Sequence, residues 1–201
     1  MRTNFIAFEG LDGSGLTTQA TLLRNFFLSR NRDVILTKEP TDSLIGGLIR
    51  ACLRKEWRTA PAVLQTLFAA DRGHHLDTEI EPALKKGKIV ICDRYILSTL
   101  AYGLLEVPLK SLLQLNEQFR KPNMTFIIDT QPKLCMDRIR RARPHIELFE
   151  DEARLLQIRK NYQSLRSQFP ETFVIDGNRS VDEVYEDIQR IIVKKTVSGH
   201  V

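Results

Sequence analysis

Gly10 to Thr17 reads GLDGSGLT, one residue (Glu9) after the apolar run Phe5 to Phe8 and directly before residues with helical spacing. A glycine-rich loop in that place is a phosphate cradle. Gly10, Gly13 and Gly15 let the backbone turn so that successive N–H groups converge on an anion at a helix N-terminus. The string fits G-x-x-x-x-G-K-[ST] at every fixed place except one, since Leu16 stands where the lysine belongs. Thr17 keeps the hydroxyl that such a loop offers to Mg²⁺, and Thr18 and Gln19 open the helix. The point charge is missing. A charged hydrogen bond contributes about 1.5–3 kcal/mol, and losing one preorganised donor to a developing oxyanion lowers a rate by about 10²–10³. The loop therefore predicts slow phosphoryl transfer or a cation supplied from elsewhere. A Gly/Ser/Thr string between a strand and a helix is also an ordinary turn, so the remaining chemistry has to decide.

Two other strands end in charge. DVILT is followed by Lys38-Glu39-Pro40, and KIVIC by Asp93-Arg94. In an open α/β sheet the carboxyl ends of the strands face the ligand crevice, so an aspartate there can stand beside Mg²⁺. Arg138 to Arg143 (RIRRAR) packs four arginines before Pro144, either as a solvated face or as a nucleic-acid patch. His74 and His75 are adjacent, point to different sides of a helix, and read as surface or helix-end residues rather than metal ligands. Cys52, Cys92 and Cys135 contain no C-x-x-C pair and read as reduced thiols.

The elements that must position these groups follow from hydrophobic period. Apolar strands are predicted at Thr3–Phe8, Asp33–Thr37, Lys88–Cys92, Asn123–Asp129 and Thr172–Asp176. Helices are predicted at about Leu16–Arg30, Ser43–Lys55, Pro61–Lys86 (kinked or restarted at Pro82), Tyr95–Leu105, Pro108–Phe119, Pro132–Arg141, Glu150–Phe169 and Ser180–Lys195. Ser180 and Glu183 have capping-box spacing, and Thr196 to Val201 reads as a frayed tail. Five strands alternating with helices predict an α/β three-layer fold, a five-stranded parallel sheet covered by helices on both faces.

With 201 residues and 42% hydrophobic composition, the chain suits one domain, 1–195, before the tail at 196–201. Lys and Arg exceed Asp and Glu by 30 to 25, a formal charge of +5 that suits an anionic ligand and equally a solvated basic surface. No zinc finger, RNP string or repeat accompanies the charge, so nucleic acid is not the expected partner. No window approaches the ~20 apolar residues that span a bilayer, and the start has no signal-peptide run, so a cytoplasmic protein is expected.

In order and on these elements, FEGLDGSGLTTQ, KEP, LFAADRGHH (Leu67 to His75), DRYILSTLAY (Asp93 to Tyr102) and the arginine-rich segment before Glu150 resemble thymidylate kinase. The resemblance runs from about Phe5 to Ile192. It implies the P-loop kinase fold with an arginine-rich lid at about 138–149, and transfer of a phosphoryl group from ATP to dTMP with Mg²⁺. It implies ATP binding by Gly10, Leu11, Asp12, Gly13, Ser14, Gly15, Leu16, Thr17 and Thr18, with Arg138 and Arg179 towards adenine. Mg²⁺ falls to Thr17 and Asp93. Phe68 and Arg72 hold thymine, Arg94 clamps the acceptor phosphate, Asp12 meets the sugar and acceptor phosphate, and Glu39 lies near metal and sugar. Ser98 and Tyr102 fall where the family reads the base edge and rejects ribose. Asp12 and Arg94, with Arg141 and Arg143 of the lid, are the implied catalytic residues, the lid partly replacing the charge absent at Leu16. A homodimer is implied too. Lys38 stands where the family usually has arginine, and Gly103 where it commonly has glutamine. Leu16 leaves two alternatives: a nucleotide-binding pseudoenzyme, and a kinase for another nucleoside or its monophosphate.

Overall fold

The computed structural model describes residues 4–142, 147–149, 151–169 and 171–197. Alternate residues of β1 (Phe5–Gly10) enter two different cores. Phe5 and Ala7 join one apolar cluster, Ile6 and Phe8 the other, as the two-residue period of a strand buried on both faces requires. The other strands are β2 (Val34–Lys38), β3 (Ile89–Asp93), β4 (Met124–Asp129) and β5 (Thr172–Asp176). All pair in parallel in the order β2-β3-β1-β4-β5, so the five-stranded parallel sheet inferred from the sequence is present. Phe8 and Lys38 both pair with Asp93, Gly10 with Ile128, and Asp129 with Asp176, which brings every strand's polar end to one edge.

One face is covered by α1 (Leu16–Leu28) and α9 (Val181–Val197), through Leu23, Phe27, Val184 and Ile188. The opposite face carries α2 (Leu44–Leu53), α3 (Pro61–His75), α4 (Glu81–Lys85), α5 (Ile96–Gly103), α6 (Leu109–Asn116), α7 (Pro132–Ala142) and α8 (Glu152–Leu165). No helix among the described residues is long and apolar enough to cross a membrane.

Several element ends differ from expectation. β1 lies two residues later than expected, keeping Gly10 in register with Ile128. The helix expected from Pro61 to Lys86 breaks into α3, a wide π turn at Leu76–Ile80, and α4; Pro82 lacks the N–H that an uninterrupted ladder needs. α8 begins at Glu152, where Asp151 accepts from the Arg154 N–H, and it ends in a short 3₁₀ turn at Arg166–Gln168; Glu150 lies outside the described residues. The tail starts later than expected, because α9 runs to Val197. At its start the Ser180 N–H and hydroxyl both donate to Glu183, 3.0 and 2.5 Å away.

α7 presses directly on the glycine loop. Gly13 has φ +76°, and a Cβ there would lie 2.6 Å from the Cys135 carbonyl oxygen. Only glycine meets both the left-handed backbone and the close approach. Gly13→Ala should therefore destabilise the chain by about 1–3 kcal/mol in urea unfolding, with α7 displaced from the loop.

Candidate active site

At the carboxyl edge of the sheet a cavity of about 690 Å³ opens between the glycine loop, the ends of β2 and β3, and helices α3, α5 and α7. Gly15, φ +101°, is the N-cap of α1, which has no side-chain cap and no acidic residue in its first turn. Its leading N–H groups are therefore left for an anion. Leu16 is 5% exposed and packs with Ile6, Phe8 and Ala20 in the core beneath α1 while touching the cavity's edge.

Thr17 Oγ1 donates to Asp93 Oδ2 at 2.5 Å, joining the first residues of α1 to the end of β3. A hydroxyl and a carboxylate side by side form the oxygen donor set that a hard cation takes. The next residue, Arg94, has φ +70°, a left-handed conformation that is strained without glycine. Its side chain holds that backbone in place. Nη2 donates to Asp12 Oδ1 at 2.6 Å, Nη1 to the Gly10 carbonyl at 2.8 Å and to Ser98 Oγ at 3.3 Å, and the guanidinium lies 5.3 Å from the Tyr102 ring centre. The Tyr102 hydroxyl donates to Asp12 Oδ2 at 2.9 Å and accepts from the Asp12 N–H at 3.1 Å. Burial acts to lower the Arg94 pKa, but Asp12, with Tyr102, Tyr162 and Asp93, outweighs it and holds the group charged. Burial pushes the Tyr102 phenol well above its usual range, Asp12 and Tyr162 adding to it against the pull of Arg94.

A second charge cluster lies deeper. Arg72 is 1% exposed, donates to Glu39 Oε2 at 2.7 Å and Thr99 Oγ1 at 2.8 Å, and also bonds Asn116 Oδ1. Glu39 meets His75 Nδ1 at 3.0 Å, and His75 Nε2 meets Thr37 Oγ1 at 2.7 Å. The surface placement expected for His75 is thus corrected: it is buried, because the π turn and β2 close over it.

Thymidylate kinase is the family whose model matches this chain, over residues 8–188. A probable thymidylate kinase of Pyrococcus abyssi is 40% identical over 199 residues, covering 96% of this chain and 97% of that protein. A putative thymidylate kinase of Treponema pallidum is 37% identical over 193 residues, 92% of each. A thymidylate kinase of Ruegeria pomeroyi is 37% identical over 200 residues, 94% of each. The chain belongs to the thymidylate kinase family.

Of the residues that the family resemblance singles out, Leu11, Asp12, Gly13, Gly15, Leu16, Thr17 and Thr18 border the cavity from the loop. Glu39, Phe68, Arg72, Asp93, Arg94, Ser98, Tyr102 and Arg138 border it from the other elements. Gly10, the last residue of β1, and Ser14, a buried residue of the loop, are not among the residues lining the cavity. Arg138 reaches from α7 to the carbonyls of Gly13 (3.4 Å), Ser14 (3.3 Å) and Gly177 (3.3 Å). Arg141 is exposed on α7 and is not among the residues lining the cavity. Arg143 lies outside the described residues. Arg179 turns away to bond Asp187.

Glu9, Gln65, Thr99 and Tyr162 went unnoticed in the sequence. Thr99 and Tyr162 carry no local signal, but Glu9 does, as the one charge in the buried run FIAFEG. Its Oε1 accepts from the N–H groups of Tyr95 and Leu97, each at 3.1 Å, and Oε2 accepts from Ser98 Oγ. Burial raises the Glu9 carboxyl to about 7, against the pull of Ser98, Arg94 and Arg72. The folded chain therefore holds a proton that the unfolded chain releases near pH 4.5. This contribution falls as pH rises from about 4.5 to about 7 and is level above. Urea unfolding at pH 5 and pH 7.5 should show Glu9→Gln losing a drop on the order of 3 kcal/mol that the native chain displays.

Proposed function

We propose that the chain transfers the γ-phosphoryl group of ATP to dTMP, giving dTDP and ADP. The observation that carries this reading is Arg94, strained and paired with Asp12, between the donor-side loop and the cavity wall of Phe68 and Arg72. A guanidinium in that place grips the acceptor phosphate with its forked donors. Asp12 and Tyr102 hold it there before substrate arrives and lie towards the sugar. Phe68 stacks on thymine, Arg72 donates to its keto oxygen, and Ser98, tied to Glu9 and to Tyr162 at 2.8 Å, supports the base-side wall. No general base is required, because the acceptor is already an ionised phosphate; catalysis is positioning and charge neutralisation.

Thr17 and Asp93 fit Mg²⁺, which when bound would neutralise the donor phosphates. Leu16 supplies no charge, so the cation comes from the lid at 138–149: Arg138 already rests on the loop, with Arg141 one turn beyond and Arg143 after it. Adenine lies between the lid side and the segment from Gly177 to Arg179. The buried Leu16 also favours a second reading, a nucleotide-binding protein whose chemistry is lost. The chain acts in the cytoplasm as a homodimer, in a single kinase domain that takes in all of α9, to Val197. Leu44 (93% exposed), Leu48, Val63 and Leu113 are exposed apolar side chains on α2, α3 and α6, and α3 packs against both other helices. Leu48→Glu should halve the mass measured by light scattering.

An ADP-release assay with ATP, Mg²⁺ and each of dTMP, dUMP, dCMP, dGMP and AMP tests the reaction. Turnover should be confined to dTMP; no turnover with any acceptor, alongside intact nucleotide binding, would leave the second reading. Leu16→Lys should raise kcat about tenfold or more, and Arg138→Ala or Arg141→Ala should lower it by about 10²–10³ with dTMP KM little changed.

A further inference from the structure

Gln65 lies on α3 three residues before Phe68 and seven before Arg72, the spacing that puts all three on one helix face. All three line the cavity. Gln65 is 3% exposed, yet its Oε1 is buried without a partner, and among the described residues its amide makes no hydrogen bond. Buried polar groups are nearly always paired, and leaving one unpaired is destabilising. Packing alone would be served better by leucine or methionine. A partner is therefore missing from the chain, and the cavity is where it can come from.

The neighbouring helix α5 leaves room for this amide at Gly103. A Cβ on Gly103 would fall 3.1 Å from Gln65 Cδ and 2.8 Å from a methyl of Leu112. Gly103 directly follows Tyr102, whose hydroxyl bonds Asp12. An amide from α3 thus fills the place beside α5 that a side chain at 103 would take.

We propose that Gln65 reads the Watson–Crick edge of the acceptor base, an assignment that rests on dTMP being the acceptor. An amide carbonyl accepts and thymine presents N3–H, so the two form a hydrogen bond while O4 is left to Arg72. A half-turn of the terminal torsion exchanges Oε1 and Nε2 and brings either to the cavity. Arg72 has only donors, which sets the sense of the reading: a keto group is accepted next to it and the amino group of cytosine is not.

Gln65→Met keeps the volume and removes the amide, and Gln65→Leu serves as a second variant should either fail to fold. Steady-state kinetics with dTMP and with N3-methyl-dTMP, together with thermal unfolding of the unliganded chain, distinguish base reading from a structural role. Gln65→Met should raise dTMP KM by about tenfold while kcat and the KM for ATP stay close to native values. Its Tm should be equal or higher, since an unpaired polar group has been removed. N3-methylation should weaken dTMP strongly for the native chain and far less for Gln65→Met. An unchanged dTMP KM in both variants, or the same N3-methyl penalty in native and variant chains, overturns the assignment. Absence of dTMP turnover in the native chain would instead remove the acceptor reading, and this proposal with it.

Discussion

The ion pair between Arg94 and Asp12, closed at 2.6 Å, ties the loop after β1 to the segment after β3, its immediate neighbour in the sheet. Parallel strands bring their polar ends to one edge, where apolar helices exclude water and an unpaired charge is strongly disfavoured. Arg94 answers that constraint with one anion, two oxygen acceptors and an aromatic face. The left-handed backbone at Arg94 persists because those contacts over-determine it. Asp12 in turn is fixed by Tyr102, so one strained residue organises the loop, β3 and α5 together.

The same logic recurs deeper in the fold. Arg72 is buried with Glu39, and Glu39 is shared with His75, so that the guanidinium, the carboxylate and the imidazole satisfy one another away from solvent. Glu9 has four donors around it, from Tyr95, Leu97, Ser98 and Tyr162, and it anchors the start of α5 from below. These groups are preorganised before any substrate enters, which is how a reaction needing little covalent chemistry is accelerated. Leu16 stands apart from this pattern: the general glycine-loop motif places a lysine there, and this chain places a core residue instead.

Much of the architecture was legible locally. FIAFEG, VILTK, IVICD and TFVID carry the apolar runs of buried strands, and their alternation with helical stretches implied a parallel sheet, the arrangement found. Boundaries were less legible. Gly10 reads as a loop residue yet continues the ladder, and the wide turn at Leu76–Ile80 is written only as a proline further on. His75 shows the limit most plainly: adjacency to His74 argued for the surface, whereas packing against β2 buries it.

By itself the sequence determined which chemistry is present: a glycine loop without its lysine, a strand ending in Asp93-Arg94, the string LFAADR with Phe68 and Arg72, and a basic segment before α8. These are short-range patterns, set by backbone freedom and side-chain period. Only the tertiary structure decided which of them meet. It brought Arg138 rather than Arg141 against the loop, set Tyr162 beside Ser98, and laid Gln65 against Gly103 across two helices. Such contacts depend on strand order and helix packing, which join residues far apart in the chain and leave no trace in any local window.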